Sequence, residues 1–194
     1  MTYNKDYRLE NGYELVEETH YPDCSTFVIG DLHLNHTNII KYCNRPFDNV
    51  ADMNRVLVKN WNLVVKKTDT VFFLGDMAMG NSDKIINSLN GNIFFIRGNH
   101  DKSRDQDSMH DQLYLTYKGI KFQFIHNPNW LRGDKFDGWT IHGHHHNNYP
   151  EDFSFFDPGN RKFNVSVEMI KYQPFPMTKI VELIQSDKSK IISL

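Results

Sequence analysis

The sequence predicts an α/β fold built on two sheets, and two observations carry the prediction. Through the first hundred residues, short apolar runs alternate with segments of helical period, the pattern of parallel strands with helices packed against them. Beyond that point the runs pair by tight turns, which predicts a second and more antiparallel sheet.

Residues 1 to 23 are polar and are expected to form a loose extension, or a hairpin around the tight-turn pair Asn11-Gly12. "CSTFVIG" (24 to 30) is a buried strand by its length and β-branched content. Residues 49 to 67 place Met53, Val56, Leu57, Trp61, Val64 and Val65 at helical spacing, with Asp48 or Asn49 as N-cap and Asp52 in the first turn. "TVFFLG" is the next strand, "SDKIINSLNG" a short helix stopped by Gly91, and "NIFFIRG" a third strand. "LYLTYKGIKFQFIH" reads as a hairpin about Lys118-Gly119, and "WTIHG", "KFNVSVEMI" and "TKIVELI" read as further strands. The loops 127 to 138 and 147 to 160 are long enough to be functional.

At 194 residues the chain fits one domain with a sizeable core. A formal net charge of -2 gives no signal of a basic nucleic-acid-binding domain. No apolar run is long enough for a membrane span, and the polar start lacks the order of a signal peptide, so a cytoplasmic protein is expected. Cys24 and Cys43 are too few and too isolated for a disulfide framework or a thiolate zinc site. Any bound metal must therefore use other ligands, and the ten histidines draw attention by where they fall.

They fall at strand ends. "TFVIGDLHLNH" ends in Asp31 and His33, "VFFLGDM" in Asp76, "FFIRGNHD" in Asn99, His100 and Asp101, "FQFIH" in His126, and "WTIHGHHH" in His144, His145 and His146. Any one of these could be turn or cap chemistry. Independent turns would not all choose oxygen and imidazole groups, and strand ends on one side of an α/β sheet converge on one crevice.

In order and spacing, "GDLH", "GDM", "GNHD", His126 and "GHHH" resemble the motifs of the calcineurin-like metallophosphoesterase superfamily. "DLHLNHTNIIKYCNRPF" and "FNVSVEMI" are similar to segments of its small bacterial and phage members. The resemblance implies a four-layer sandwich of two mixed β-sheets flanked by helices, with a dinuclear site at the strand ends. It implies that Asp31, His33 and His146 hold one metal, Asn99, His126 and His144 the other, and that Asp76 bridges them. A donor set without thiolate suits two divalent transition-metal ions, Mn first, with Fe, Zn or Ni as alternatives. The implied reaction is attack of a bridging hydroxide on a phosphate ester. His100 would assist the leaving group and Asp101 would orient His100.

The remaining candidates are ranked by position. Arg97, Arg45 and His36 are candidate substrate contacts, as are Arg132 and Arg161, because guanidinium matches phosphate oxygens. His145 is expected to point away from both metals, His142 could line the pocket or pack, and His20 and His110 read as surface residues. Trp130, Phe136, Trp139, Tyr149, Phe153, Phe155 and Phe156 could stack a base or pack beneath their loops. The expected substrate is a small or nucleotide-like phosphodiester. The alternatives are a phosphomonoesterase or protein phosphatase, a non-catalytic binding protein of the same fold, and a metal-dependent hydrolase of another bond such as an amide.

Overall fold

In the computed structural model the described residues are 7–10, 13–16, 25–101, 109–131 and 136–192. Their strands and helices are, in order, β1 (Tyr7–Glu10), β2 (Tyr13–Val16), β3 (Thr26–Ile29), α1 (Ile39–Tyr42), α2 (Val50–Val64), β4 (Thr70–Phe73), α3 (Asp83–Ile86) and β5 (Asn92–Ile96). Then come β6 (Met109–His110), β7 (Gln112–Tyr117), β8 (Ile120–Ile125), a 3₁₀ turn (Pro128–Trp130), β9 (Trp139–His142), β10 (Phe156–Asp157), β11 (Lys162–Asn164), β12 (Phe175–Pro176) and α4 (Met177–Ile192). Cys24, His20 and Arg132 lie outside the described residues.

Two mixed sheets result. One has five strands in the order β12-β3-β4-β5-β6, parallel except for β12, and the other has seven in the order β1-β2-β7-β8-β9-β11-β10. The N-terminal strands β1 and β2 pair antiparallel on either side of positions 11 and 12, and β2 extends the second sheet by joining β7.

Alternation along β4 shows how the layers stack. Phe72 points into the second sheet and stacks on Phe124 of β8, centroids 4.5 Å apart, while its neighbour Phe73 points the other way, toward Trp61 of α2 at 6.3 Å. Helix α2 presents Met53, Leu57 and Trp61, one per turn, and all three are buried. Its cap is Asn49, whose side chain accepts from the Asp52 amide at 2.9 Å. The helix stops at Val64, short of the expected 67. There Asp69, itself buried, accepts from the Lys66 amide at 2.7 Å and the Ser25 amide at 2.8 Å, which turns the chain into β4.

Two expected strands differ from what forms. "TKIVELI" is not a strand but lies within α4, where Met177, Ile180, Val181 and Ile184 form one buried stripe at helical spacing. "KFNVSVEMI" is a strand only as far as Asn164. The buried Asn164 side chain donates to the carbonyls of His146 and Phe153 and accepts from Ser166, which diverts the chain out of the seven-stranded sheet. Residues 165 to 167 then pair with Gly30 at the end of β3, in the other sheet. That crossing brings Glu168 to the strand ends.

Candidate metal centre

The loops after β3 and β4 stay paired beyond the strands. Asp31 donates its amide to Gly75 O, His33 to Asp76 O and Leu34 to Met77 O, at 2.9 to 3.0 Å, so the two loops leave the sheet side by side. The loop after β5 is tied to them by Asp101. Its carboxylate accepts from the amides of Asp76 at 2.7 Å, Gly98 at 3.0 Å and Met77 at 3.2 Å, and Asp76 Oδ1 in return accepts from the His100 amide at 2.9 Å. Asp101 thus anchors the backbone of two loops, a duty beyond the expected one of orienting His100.

Close approach demands glycine at two points. A Cβ on Gly98 would stand 2.1 Å from Asp76 Oδ1, and one on Gly143 would stand 2.3 Å from Asp31 Oδ2. Any larger residue at either position would push a carboxylate out of place. The backbone is also bent into an unusual state. Asp31, His33, Asp76, His144 and His146 all have positive φ, between 49° and 72°, and they account for five of the twelve such non-glycine residues described. Left-handed backbone costs an L-residue on the order of 1 kcal/mol, and its concentration here is the pattern of a functional site.

The side chains form two groups joined through Asp76. Asp31, His33 and His146 are all buried, and one potential ligand atom from each lies within 4.8 Å of the others. His126, His144 and Asn99 form the second group: Asn99 Oδ1 is 2.9 Å from both His126 Nε2 and His144 Nδ1. Asp76 Oδ2 lies 3.4 Å from His33 Nε2 in the first group and 3.6 Å from His126 Nε2 in the second.

Do these residues fit metal ions? The hydrogen-bond partners decide which atoms carry lone pairs. His126 Nδ1 lies 2.7 Å from the Leu74 carbonyl and must donate to it, so in the neutral ring Nε2 carries a lone pair. That lone pair faces two acceptors, Asn99 Oδ1 and Asp76 Oδ2, a mutual repulsion that a cation among them would turn into attraction. Among the described residues His33 Nε2 is buried without a hydrogen-bond partner, which is costly unless something binds it. Burial, with His146, Arg45, His100 and His36 adding like charge, holds the His33 imidazole far below its usual range and therefore neutral. Burial and the neighbouring His126 and His145 likewise push His144 down to about 4. Burial raises the carboxyl of Asp31, against the opposing pull of His146 and His126, and a cation would hold it ionised. The neutral imidazoles of His33 and His144 beside buried carboxylates, with His33 Nε2 unpartnered among the described residues, suit divalent ions.

A buried network supports the first group. His146 Nδ1 donates to Glu168 at 3.0 Å, leaving Nε2 turned toward Asp31 Oδ1 at 3.9 Å. Glu168 is held in turn by Arg45, whose Nε and Nη2 lie 2.8 and 2.7 Å from its Oε1. The same guanidinium donates to the carbonyls of Leu32 and Asp31, at 2.8 and 2.7 Å. Burial alone would lower His146, but Asp31, Cys43 and Glu168 raise it to about 11; burial would raise Glu168, but His146 and Arg45 hold it below the usual range. Arg45 is therefore corrected from substrate contact to internal clamp, because its side chain is buried and its donors are spent on Glu168 and the Asp31 loop. Glu168 was not among the sequence candidates. The signal was present as a single carboxylate inside the apolar run "FNVSVEMI", a residue that must find a buried partner.

The other candidates separate cleanly. His100 is exposed and lies beside His33 and His36, with ring centroids at 5.3 and 6.1 Å. His36 Nδ1 approaches His33 Nδ1 at 3.3 Å. Arg97 turns to Asp111, Nε to Oδ1 3.5 Å, and Arg161 to Asp137 at 3.2 Å. His145 stacks on Phe153, centroids 3.4 Å apart, while His142 is buried with Nδ1 3.0 Å from Gly143 O. His110 sits in β6 and is half-buried. Among the aromatics, Trp139 is buried, Phe136 lies beside Tyr114, and Phe155 and Phe156 pack on Phe163. Tyr149 is exposed, and so is Trp130, which lies against the second group of ligands.

Two mixed sheets flanked by helices, with carboxylates and imidazoles gathered at the strand ends, define the metallophosphoesterase class of fold. Residues 25–191 match the calcineurin-like phosphoesterase family, and the chain belongs to it. It is 47% identical over 167 residues to MJ1445 of Methanocaldococcus jannaschii, covering 84% of this chain and 92% of that one. It is also 35% identical over 106 residues to the gene 66 protein of Mycobacterium phage L5, spanning about half of each, 50% and 51%. The crystal structure of AQ665 from Aquifex aeolicus, titled a protein of unknown function, shares the fold with a TM-score of 0.67 at 24% identity, over 84% of this chain and all (100%) of that one. No helix among the described residues is long and apolar enough to cross a membrane.

Proposed function

We propose that the protein is a dinuclear metal-dependent phosphoesterase acting on phosphodiesters of small or nucleotide-like groups. The observation that carries this reading is the position of Asp76 Oδ2, within 3.4 to 3.6 Å of an imidazole nitrogen from each ligand group. Asp31, His33 and His146 would hold one ion, Asn99, His126 and His144 the other, and Asp76 both. When bound, two divalent ions supply a water activated near neutral pH and positive charge for a phosphoryl group.

The chain's own residues do the rest. His33 and His144 are neutral and offer lone pairs without first losing a proton. Glu168 fixes the His146 ring by accepting a hydrogen bond from its Nδ1, so that Nε2 faces the site. His100, exposed beside His33 and His36, stands at the rim with its amide pinned to Asp76, where its imidazole can give a proton to a departing alkoxide. Leu74 and Asp101 hold the scaffold so that these groups are in place before substrate arrives.

The direct test is to load the purified chain with Mn, dialyse it, and measure metal content alongside hydrolysis of bis(p-nitrophenyl) phosphate, p-nitrophenyl phosphate and an amide. Two equivalents of metal and a preference for the diester, abolished by chelator, are expected. One equivalent with full activity would sink the dinuclear reading. Exclusive monoester or amide turnover would sink the diester one.

A further inference from the structure

Trp130 is an exposed indole in an informative place. Its ring centroid lies 5.6 Å from His126 and 6.1 Å from His144, tilted 48° and 44° to them, yet 45% of the residue remains open to solvent. A scattered surface tryptophan needs no explanation. One set against two expected metal ligands, with nearly half of it exposed, is in position to meet whatever those metals bind.

The turn that carries the ring is also held in advance. Pro128 is buried, the Asn127 side chain accepts from the Asn129 amide at 2.9 Å, and the Trp130 amide donates to the Asn127 carbonyl at 3.0 Å. A short turn closed on Asn127 by two hydrogen bonds presents the indole with a reduced ordering cost at the moment of binding. The flank beside the first ligand group is different in kind: His100 and His36 lie beside His33.

We propose that Trp130 is a stacking platform for a planar group, a nucleobase or aryl ring, on the arm of the phosphodiester that stays with the phosphorus. This inference rests on the phosphoesterase reading above. A phosphate held between the two ligand groups directs one ester arm toward His100, where the leaving oxygen takes its proton. The other arm is then directed to the His126 and His144 side, where the indole face is waiting. Stacking on an aromatic face tolerates any base, so the subsite selects planarity rather than sequence.

Two diesters with the same leaving group isolate the effect. Thymidine 5′-(p-nitrophenyl) phosphate and methyl p-nitrophenyl phosphate both release nitrophenolate, and only the retained arm differs. The Mn-loaded wild type should favour the thymidine ester in kcat/KM, chiefly through KM. Trp130→Ala should shrink that preference about tenfold, Trp130→Leu equally, and Trp130→Phe much less, because leucine restores apolar bulk but no ring face. Rescue by leucine would mark Trp130 as a packing residue and overturn the proposal, as would an unchanged preference in Trp130→Ala. If the wild type hydrolyses neither ester, the phosphoesterase reading fails, and calorimetry on the metal-loaded protein judges the subsite by itself. Thymidine 5′-monophosphate binding more tightly than inorganic phosphate, by a margin that Trp130→Ala removes, keeps the platform; equal binding, or a margin that survives the substitution, overturns it.

Discussion

The two ligand groups are built on opposite principles. The first is buried and charged: Asp31, His33 and His146, reinforced by the carboxylate of Glu168 and the guanidinium of Arg45. The second is neutral and more open: Asn99 and His144 are half-buried, and His126 is steadied by a backbone carbonyl rather than a carboxylate. A carboxylate partner makes an imidazole a stronger donor, and a neutral amide oxygen is a weak one. The first group should therefore keep its ion, and the second should exchange it and leave room for substrate.

Asp76→Asn should produce the largest effect, because Asp76 Oδ2 lies within 3.4 to 3.6 Å of an imidazole nitrogen from each group: both ions weaken together and turnover collapses. Elemental analysis after dialysis reads this directly, and retention of one full equivalent would show that Asp76 serves a single site. Next comes His100→Ala, which should keep both ions yet lose about 10² to 10⁴-fold on an alkyl-leaving diester and far less on a nitrophenyl one, which needs no proton on departure. A uniform loss across leaving groups would make His100 a positioning residue. Glu168→Gln should weaken the first ion by about 10 to 100-fold and spare the second. Competition with a chelator should show one equivalent lost early and one near its wild-type position. Equal loss of both would erase the distinction between the groups. Asn99→Asp should have the smallest effect on metal content, tightening the second ion by adding charge, and slower turnover with tighter metal would sharpen the view that its neutrality serves exchange.

The difference between the groups also explains what could be read from the residues alone. Candidate ligands placed directly at strand ends, Asp31, Asp76, Asn99 and His126, are legible as a cluster because apolar period and polar terminus are both sequence patterns. Their supports are not. Whether Arg45 turns outward to a phosphate or inward to Glu168 depends on a partner 123 residues away, and no local pattern carries that separation. Asp101 likewise spends its carboxylate on amides 24 and 25 residues earlier, in a different loop. The apolar content of "TKIVELI" suggests a strand, although the spacing of Ile180, Val181 and Ile184 is helical and the segment lies in α4. Trp130 was visible as an aromatic on a long loop, but only the packing of its neighbours separates it from Trp139, which is buried.

The five left-handed residues at the strand ends have a consequence for how the chain can change. Conformational strain and an orphaned nitrogen are both liabilities to a protein without metal. Selection for thermal endurance alone, with no demand on chemistry, would relieve them first, replacing these residues by glycine or asparagine while leaving Phe72 and Phe124 in the core untouched. A lineage that has stopped using its metals should thus forget its strand ends long before it forgets its sheets.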